Sequence, residues 1–176
     1  AEDLDFMYQG NAATFEGAPF ALTAPGAYMS YPEAWRRFLA PIAPAERGDV
    51  MKAYKAIFDS VPSTQEERAR QLAAALAWSV WEGTISNAIP DVDDSGKFGE
   101  DMFALSFAQI EAHFFANRLF LEPDHLIRNA ATLASIPVHI VHGRFDLVCP
   151  LTQASRLAAA LGEAGTDPAT FVVTNA

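Results

Sequence analysis

Three carboxylates stand in settings where chemistry is as good a reading as solvation. Glu111 follows Ile110 directly and has Phe107 and Phe115 four residues to either side, so on a helix it shares an aromatic face. Burying an unpaired carboxylate is costly, and this one must meet a cation or hold a proton. The cation is Arg118 or another arginine in a structural pair, or else the ammonium of a ligand. Glu82 directly precedes Gly83, in the last turn of a helix, where unpaired carbonyls make the potential negative. It is either an exposed surface glutamate or, with Trp78 and Trp81 crowding the same stretch, a partly buried one in need of a positive neighbour. Asp146 comes three residues after Gly143, where the carboxyl end of a strand can present it to orient a histidine, as the acid of a hydrolytic triad does. The same aspartate could close a turn or cap the helix that opens near Leu151.

Other candidates are weaker. Ser79 and Ser106 fall within helices and have no nucleophile elbow around them. Cys149 lies three residues after Asp146, but no local base would activate its thiol, so it reads as a bystander near that edge. His113 near Glu111 is an isolated pair, and His139 and His142 sit in a hydrophobic strand, so no metal set forms and no cofactor is expected. Two buried carboxylates also suit a glycosidase, yet the surrounding aromatics read as core rather than a sugar platform.

The elements that would position these groups follow from periodicity and punctuation. Residues 10–31 mix Gly, Pro and Ala with scattered aromatics and no clean period, and read as an ordered loop or insertion. Pro32 opens a segment with Trp35, Phe38 and Leu39 on one face; a second, from Glu46, carries Val50, Met51, Tyr54 and Phe58. Two amphipathic helices fit. Ser63 with Glu66 forms a capping box for a third helix over about 64–82, with Gly83 as its C′ residue. After the polar loop PDVDDSGKFGED, a helix over about 100–117 repeats Phe103, Phe107, Ile110 and Phe114 on a face predicted to be buried. Past Pro123 the texture changes to strand IPVHIVHG, loop RFDLVCP, a helix near 151–161, a GEAGTDP turn and strand TFVVT. Two strands joined by such a crossover lie parallel, with ligands expected at their carboxyl ends.

Composition narrows the class. At 176 residues the chain suits one domain. Its 12 Lys and Arg against 22 Asp and Glu leave a net charge of −10, which provides no positive field for nucleic acid. Hydrophobic residues at 51% with 19% charged describe a globular chain, not a disordered one. A single cysteine suggests a reducing compartment, with the cytoplasm as the expectation, and the acidic AEDLDFMY start resembles neither a signal peptide nor a membrane anchor. The absence of an initial Met and a finish on TFVVTNA suggest a piece of something longer.

WSVWEG (78–83), FGEDMFALSFAQIEAHFF (98–115) and SIPVHIVHGRFDLVCP (135–150), together with DLDFMYQG and YPEAWRRFLAPI, resemble the proline iminopeptidases, serine peptidases of the α/β-hydrolase fold. The resemblance covers nearly the whole chain apart from residues 11–30. It implies a partial α/β-hydrolase: residues 1–130 as a mostly helical cap, with 11–30 an irregular insertion, and 131–176 as a β-α-β portion of the catalytic core. It further implies Asp146 as the triad acid, and Glu82 with Glu111 as the cap carboxylates that hold the free amine of a peptide beginning with proline. Phe107, Phe114 and the aromatics near Trp81 are then candidates to wall the pyrrolidine pocket.

There are departures. Ala112 stands where the family usually has Asn, and Met7-Tyr8 stands before Gln9 where an aromatic pair is usual. No G-x-S-x-G elbow or HGGPG loop occurs in these residues, and the expected histidine would fall just past Ala176. The chain alone is therefore expected to be inactive, with the rest of the catalytic domain supplied by the same or another chain. The alternatives are an esterase or amidase of the same fold, and a binding module that turns nothing over.

Overall fold

The computed structural model describes residues 26–86, 96–165 and 170–175. Much of the 11–30 segment, the DLDFMYQG start and part of each of the 90–101 and 162–168 loops lie outside the described residues. The chain divides into two compact units, one ending at Phe120 and one beginning at Leu121. Among the described residues the architecture is mostly helical with one two-stranded parallel sheet.

In the first unit, α1 (Pro32–Leu39) starts with Pro at its first helical position, where the missing N–H costs nothing, and buries Trp35, Phe38 and Leu39. Helix α2 (Val50–Asp59) is capped by Asp49, whose carboxylate accepts from the Lys52 N–H, and buries Val50, Ala53, Tyr54 and Phe58. The first two expected helices are therefore present. The α2 end is tied to the next helix by buried Gln71, whose amide donates to the carbonyls of Ile57 and Ser60 at 3.1 and 3.0 Å. Those carbonyls would otherwise have no helical partner.

Helix α3 (Gln65–Ile85) corrects the sequence reading at both ends. The capping box is Thr64 with Glu67 rather than Ser63 with Glu66: the Glu67 N–H donates to Thr64 Oγ1, and the Thr64 N–H to Glu67 Oε2, each at 3.1 Å. Ser63 instead adds its own N–H and hydroxyl to the Glu67 carboxylate. Gly83 lies inside the helix, not beyond it. Its role is steric, since a Cβ there would stand 2.7 Å from Cδ2 of Phe98.

Helix α4 (Asp101–Ala116) also departs from expectation. Its buried positions are Ala104, Ala108 and Ala112, whereas Ile110 is 60% and Phe114 44% exposed. Small residues let α4 approach α3, which contributes Ala74 and Ala75 to the same layer. The larger side chains flank that seam: Phe103 and Phe107 pack with Phe98, while Phe114 meets Phe120. The chain leaves α4 through Arg118, Leu119 and Phe120, all with positive φ.

In the second unit, the short helix α5 (His125–Arg128) precedes β1 (His139–Gly143), α6 (Leu151–Glu163) and β2 (Thr170–Thr174). The strands pair in parallel, His139 opposite Thr170 through Gly143 opposite Thr174, and α6 is the crossover. This is the strand, helix, strand order read from the sequence. Among the described residues no helix is long and apolar enough to cross a membrane.

Candidate functional site

Helices α3 and α4 bring Glu82 and Glu111 together. Glu82 is 5% exposed, which decides between the two readings of it in favour of a buried carboxyl. Glu111 is half-buried on the facing helix. Burial raises the pKa of both, and the neighbouring Glu111 charge raises Glu82 further. A pair of this kind resists carrying two negative charges. It is stabilised by a shared proton or by a cation brought between its oxygens.

Trp78 breaks the symmetry of the pair. It lies one turn before Glu82 on α3, and its indole Nε1–H donates to Glu111 Oε2 at 2.9 Å, a bond that favours the charged form of Glu111. The indole is fully buried, edge-on to Tyr54 with ring centroids 5.0 Å apart, and stacked on Phe115 at 6.1 Å. Tyr54 is held in turn by its hydroxyl, which donates to the Phe38 carbonyl at 2.5 Å; burial also holds that phenol well above its usual pKa. The direction of the indole N–H is thus set by packing on several sides. Sequence reasoning missed this contact, although the four-residue spacing of Trp78 and Glu82 was a usable signal that both face one way.

Arg118, the structural partner offered by the sequence, makes no ion pair with Glu111 among the described residues. It sits in the turn after α4 with φ 51°. Ser79 Oγ is buried and has no hydrogen-bond partner among the described residues, so it has neither access to a substrate nor a base. The indole nitrogens of Trp35 and Trp81 are likewise buried without a described partner.

Asp146 belongs to the second unit, in the loop beyond the carboxyl end of β1. Its Oδ1 accepts from the N–H groups of Val148 and Cys149 at 2.9 and 2.8 Å, which closes the turn that leads into α6. Oδ2 takes no hydrogen bond from a described residue. The turn-closing role is therefore filled by one oxygen of the carboxylate. Nearby, His142 Nδ1 lies 2.8 Å from the Gly143 carbonyl and Cys149 is exposed. Among the described residues no three His, Cys, Asp or Glu side chains come together as a metal site.

No protein-family model matches the chain. Individual proteins do. It is 45% identical over 139 residues to a protein of Leptolyngbya boryana named as a probable proline iminopeptidase, covering 78% of this chain and 42% of the relative. A proline iminopeptidase of Xylella fastidiosa is 45% identical over 73% of this chain and 40% of its own length. One of Arabidopsis thaliana is 33% identical over 93% of this chain and 38% of its own. The chain thus spans less than half the length of these relatives, and the resemblance read from its motifs is borne out over most of its residues.

Proposed function

We propose, for a chain that is a relative of the proline iminopeptidases over most of its length, that it supplies the amine-recognising cap and the triad acid of a serine aminopeptidase. The enzyme releases proline from the amino end of peptides. In this reading the fold is a partial α/β-hydrolase: the helical unit is the cap, and the β1-α6-β2 segment is a portion of the catalytic core. Its setting is the cytoplasm.

The observation that carries the reading is the buried carboxyl pair. A protonated prolyl amine has two N–H bonds and one positive charge, so it can give one hydrogen bond to Glu82 and one to Glu111 while offsetting their repulsion. An N-blocked peptide brings no charge to offset the repulsion between the two carboxyls, which is the source of selectivity. With the amine fixed, the first peptide carbonyl is set at a constant distance from the pair. That fixed distance is what an aminopeptidase needs to cut after one residue.

Asp146 then orients a histidine contributed by the remainder of the catalytic domain, through Oδ2, while Oδ1 keeps the loop in place. That histidine takes the proton from a serine, also supplied by the remainder, as the serine attacks the carbonyl after proline. The chain alone binds and does not turn over. In the complete enzyme, Glu111→Gln should lower kcat/KM for a prolyl arylamide by about tenfold to a hundredfold and leave a neutral N-blocked ester within about twofold. Equal losses on both substrates would refute the amine role.

A further inference from the structure

We infer that Trp78 is the positioning residue of the carboxyl pair: its indole N–H holds Oε2 of Glu111, and so leaves Oε1 as the oxygen turned to a ligand amine. The inference rests on the amine-binding reading of Glu82 and Glu111, and it adds how the two are made unequal. A glutamate side chain has three rotatable bonds, and in a half-buried site it would sample several positions of both oxygens. The 2.9 Å bond from a fully buried ring removes that freedom. Oε1 accepts no hydrogen bond from any described residue. Glu111 therefore approaches a ligand with one oxygen committed and one open.

The same bond divides the charge between the partners. Trp78 favours the ionised form of Glu111, while burial and the Glu111 charge both favour the neutral form of Glu82. The two carboxyls are thus made unequal, with the charged form more strongly disfavoured at Glu82 than at Glu111. Among the described ionisable groups on the surrounding elements, Lys55 on α2 is engaged by Asp59, Lys52 on α2, Arg36 and Arg37 on α1 and His113 on α4 are exposed, Tyr54 is held neutral by burial, and Lys97 lies over the Phe98 and Phe103 rings.

Trp78→Phe tests the inference, because it keeps an aromatic ring in the packed site and deletes only the donor. In the whole 176-residue chain, the side-chain carboxyl carbon of Glu111 can be followed by NMR against pH and assigned by its loss in Glu111→Gln. The midpoint should move up in Trp78→Phe. A merely structural role predicts the opposite sign, since a loosened site lets in water and brings the carboxyl down toward its ordinary value. An unmoved or lowered midpoint overturns the inference. In parallel, L-prolinamide binding by calorimetry should weaken about tenfold in Trp78→Phe, the effect of losing one charge-assisted hydrogen bond's worth of preorganisation. Unchanged affinity would also overturn it. If the unaltered chain and Glu111→Gln bind prolinamide equally poorly, the amine reading of the site fails, while the titration still decides whether Trp78 governs Glu111.

Discussion

The two compact units differ in what they enclose. The helical unit buries Trp35, Phe38, Ile42, Tyr54, Trp78 and Trp81 to 2% exposure or less, and the rings of the five aromatic residues among them form a continuous cluster. Among the described residues of the strand unit the buried hydrophobic ones are Ala130 and Leu161, and Val141 in the middle of β1 is 68% exposed. A parallel sheet is normally covered on both faces, and two strands are few for independent stability. The helical unit thus holds a core of its own, while the strand unit presents surfaces that suit further strands and helices of a larger sheet. The lesson is that similar hydrophobic content along a chain does not mean similar self-sufficiency. What counts is whether the apolar faces meet each other.

That contrast yields measurable consequences. The largest concerns Trp78: Trp78→Ala should destabilise the helical unit by about 3–5 kcal/mol in urea unfolding, because it removes a fully buried indole from several aromatic neighbours. A loss below about 1 kcal/mol would erase the distinction between the units.

The next effect depends on pH. Folding raises the pKa of Glu82 and Glu111 above the ordinary value of 4.5, so above that pH the folded state binds more protons than the unfolded state. Their contribution to stability is fully present below about pH 4.5 and is lost as the pH rises through the raised values. Glu82→Gln removes most of this dependence, and it should raise the thermal midpoint relative to the unaltered chain at about pH 8 but not at about pH 4. The same gain at both pH values would show that packing, not ionisation, governs the position. Glu67 runs the other way: the N–H and hydroxyl groups of Ser63 and Thr64 lower its pKa, so what it contributes is lost as the pH falls.

The smallest effect belongs to the strand unit. Val141→Thr keeps a β-branched residue on an open strand face and should change stability by less than about 0.5 kcal/mol. A cost above about 1 kcal/mol would mean that this face is covered in solution and that the strand unit owns more of a core than the isolated chain displays.

Much of the secondary structure was legible because it depends on near neighbours. Pro32 and the polar cluster around Thr64 mark helix starts through backbone restriction and local hydrogen bonding, and the β-branched runs on either side of a helix announced a parallel pair. The errors came where distant residues decide. Gly83 read as a helix end because glycine is common there, but the Phe98 ring, fifteen residues away, is what requires it. Phe103, Phe107, Ile110 and Phe114 read as the buried face because they are the largest apolar residues, but close helix approach selected the alanines between them. Size favours burial only when the space exists.

The candidate site divides along the same line. The sequence by itself determined that Glu82 and Glu111 stand among aromatics, that Asp146 follows a strand, and that the chain resembles a family in which such residues would act together. Those statements need only spacing along the chain. Tertiary structure alone decided that Glu82 is buried, that its charge and that of Glu111 oppose each other, and that the indole of Trp78, thirty-three residues away in sequence, is bonded to Glu111. A pKa and a hydrogen-bond partner are set by what surrounds a group in space. No periodicity along the chain carries that information until the helices have packed.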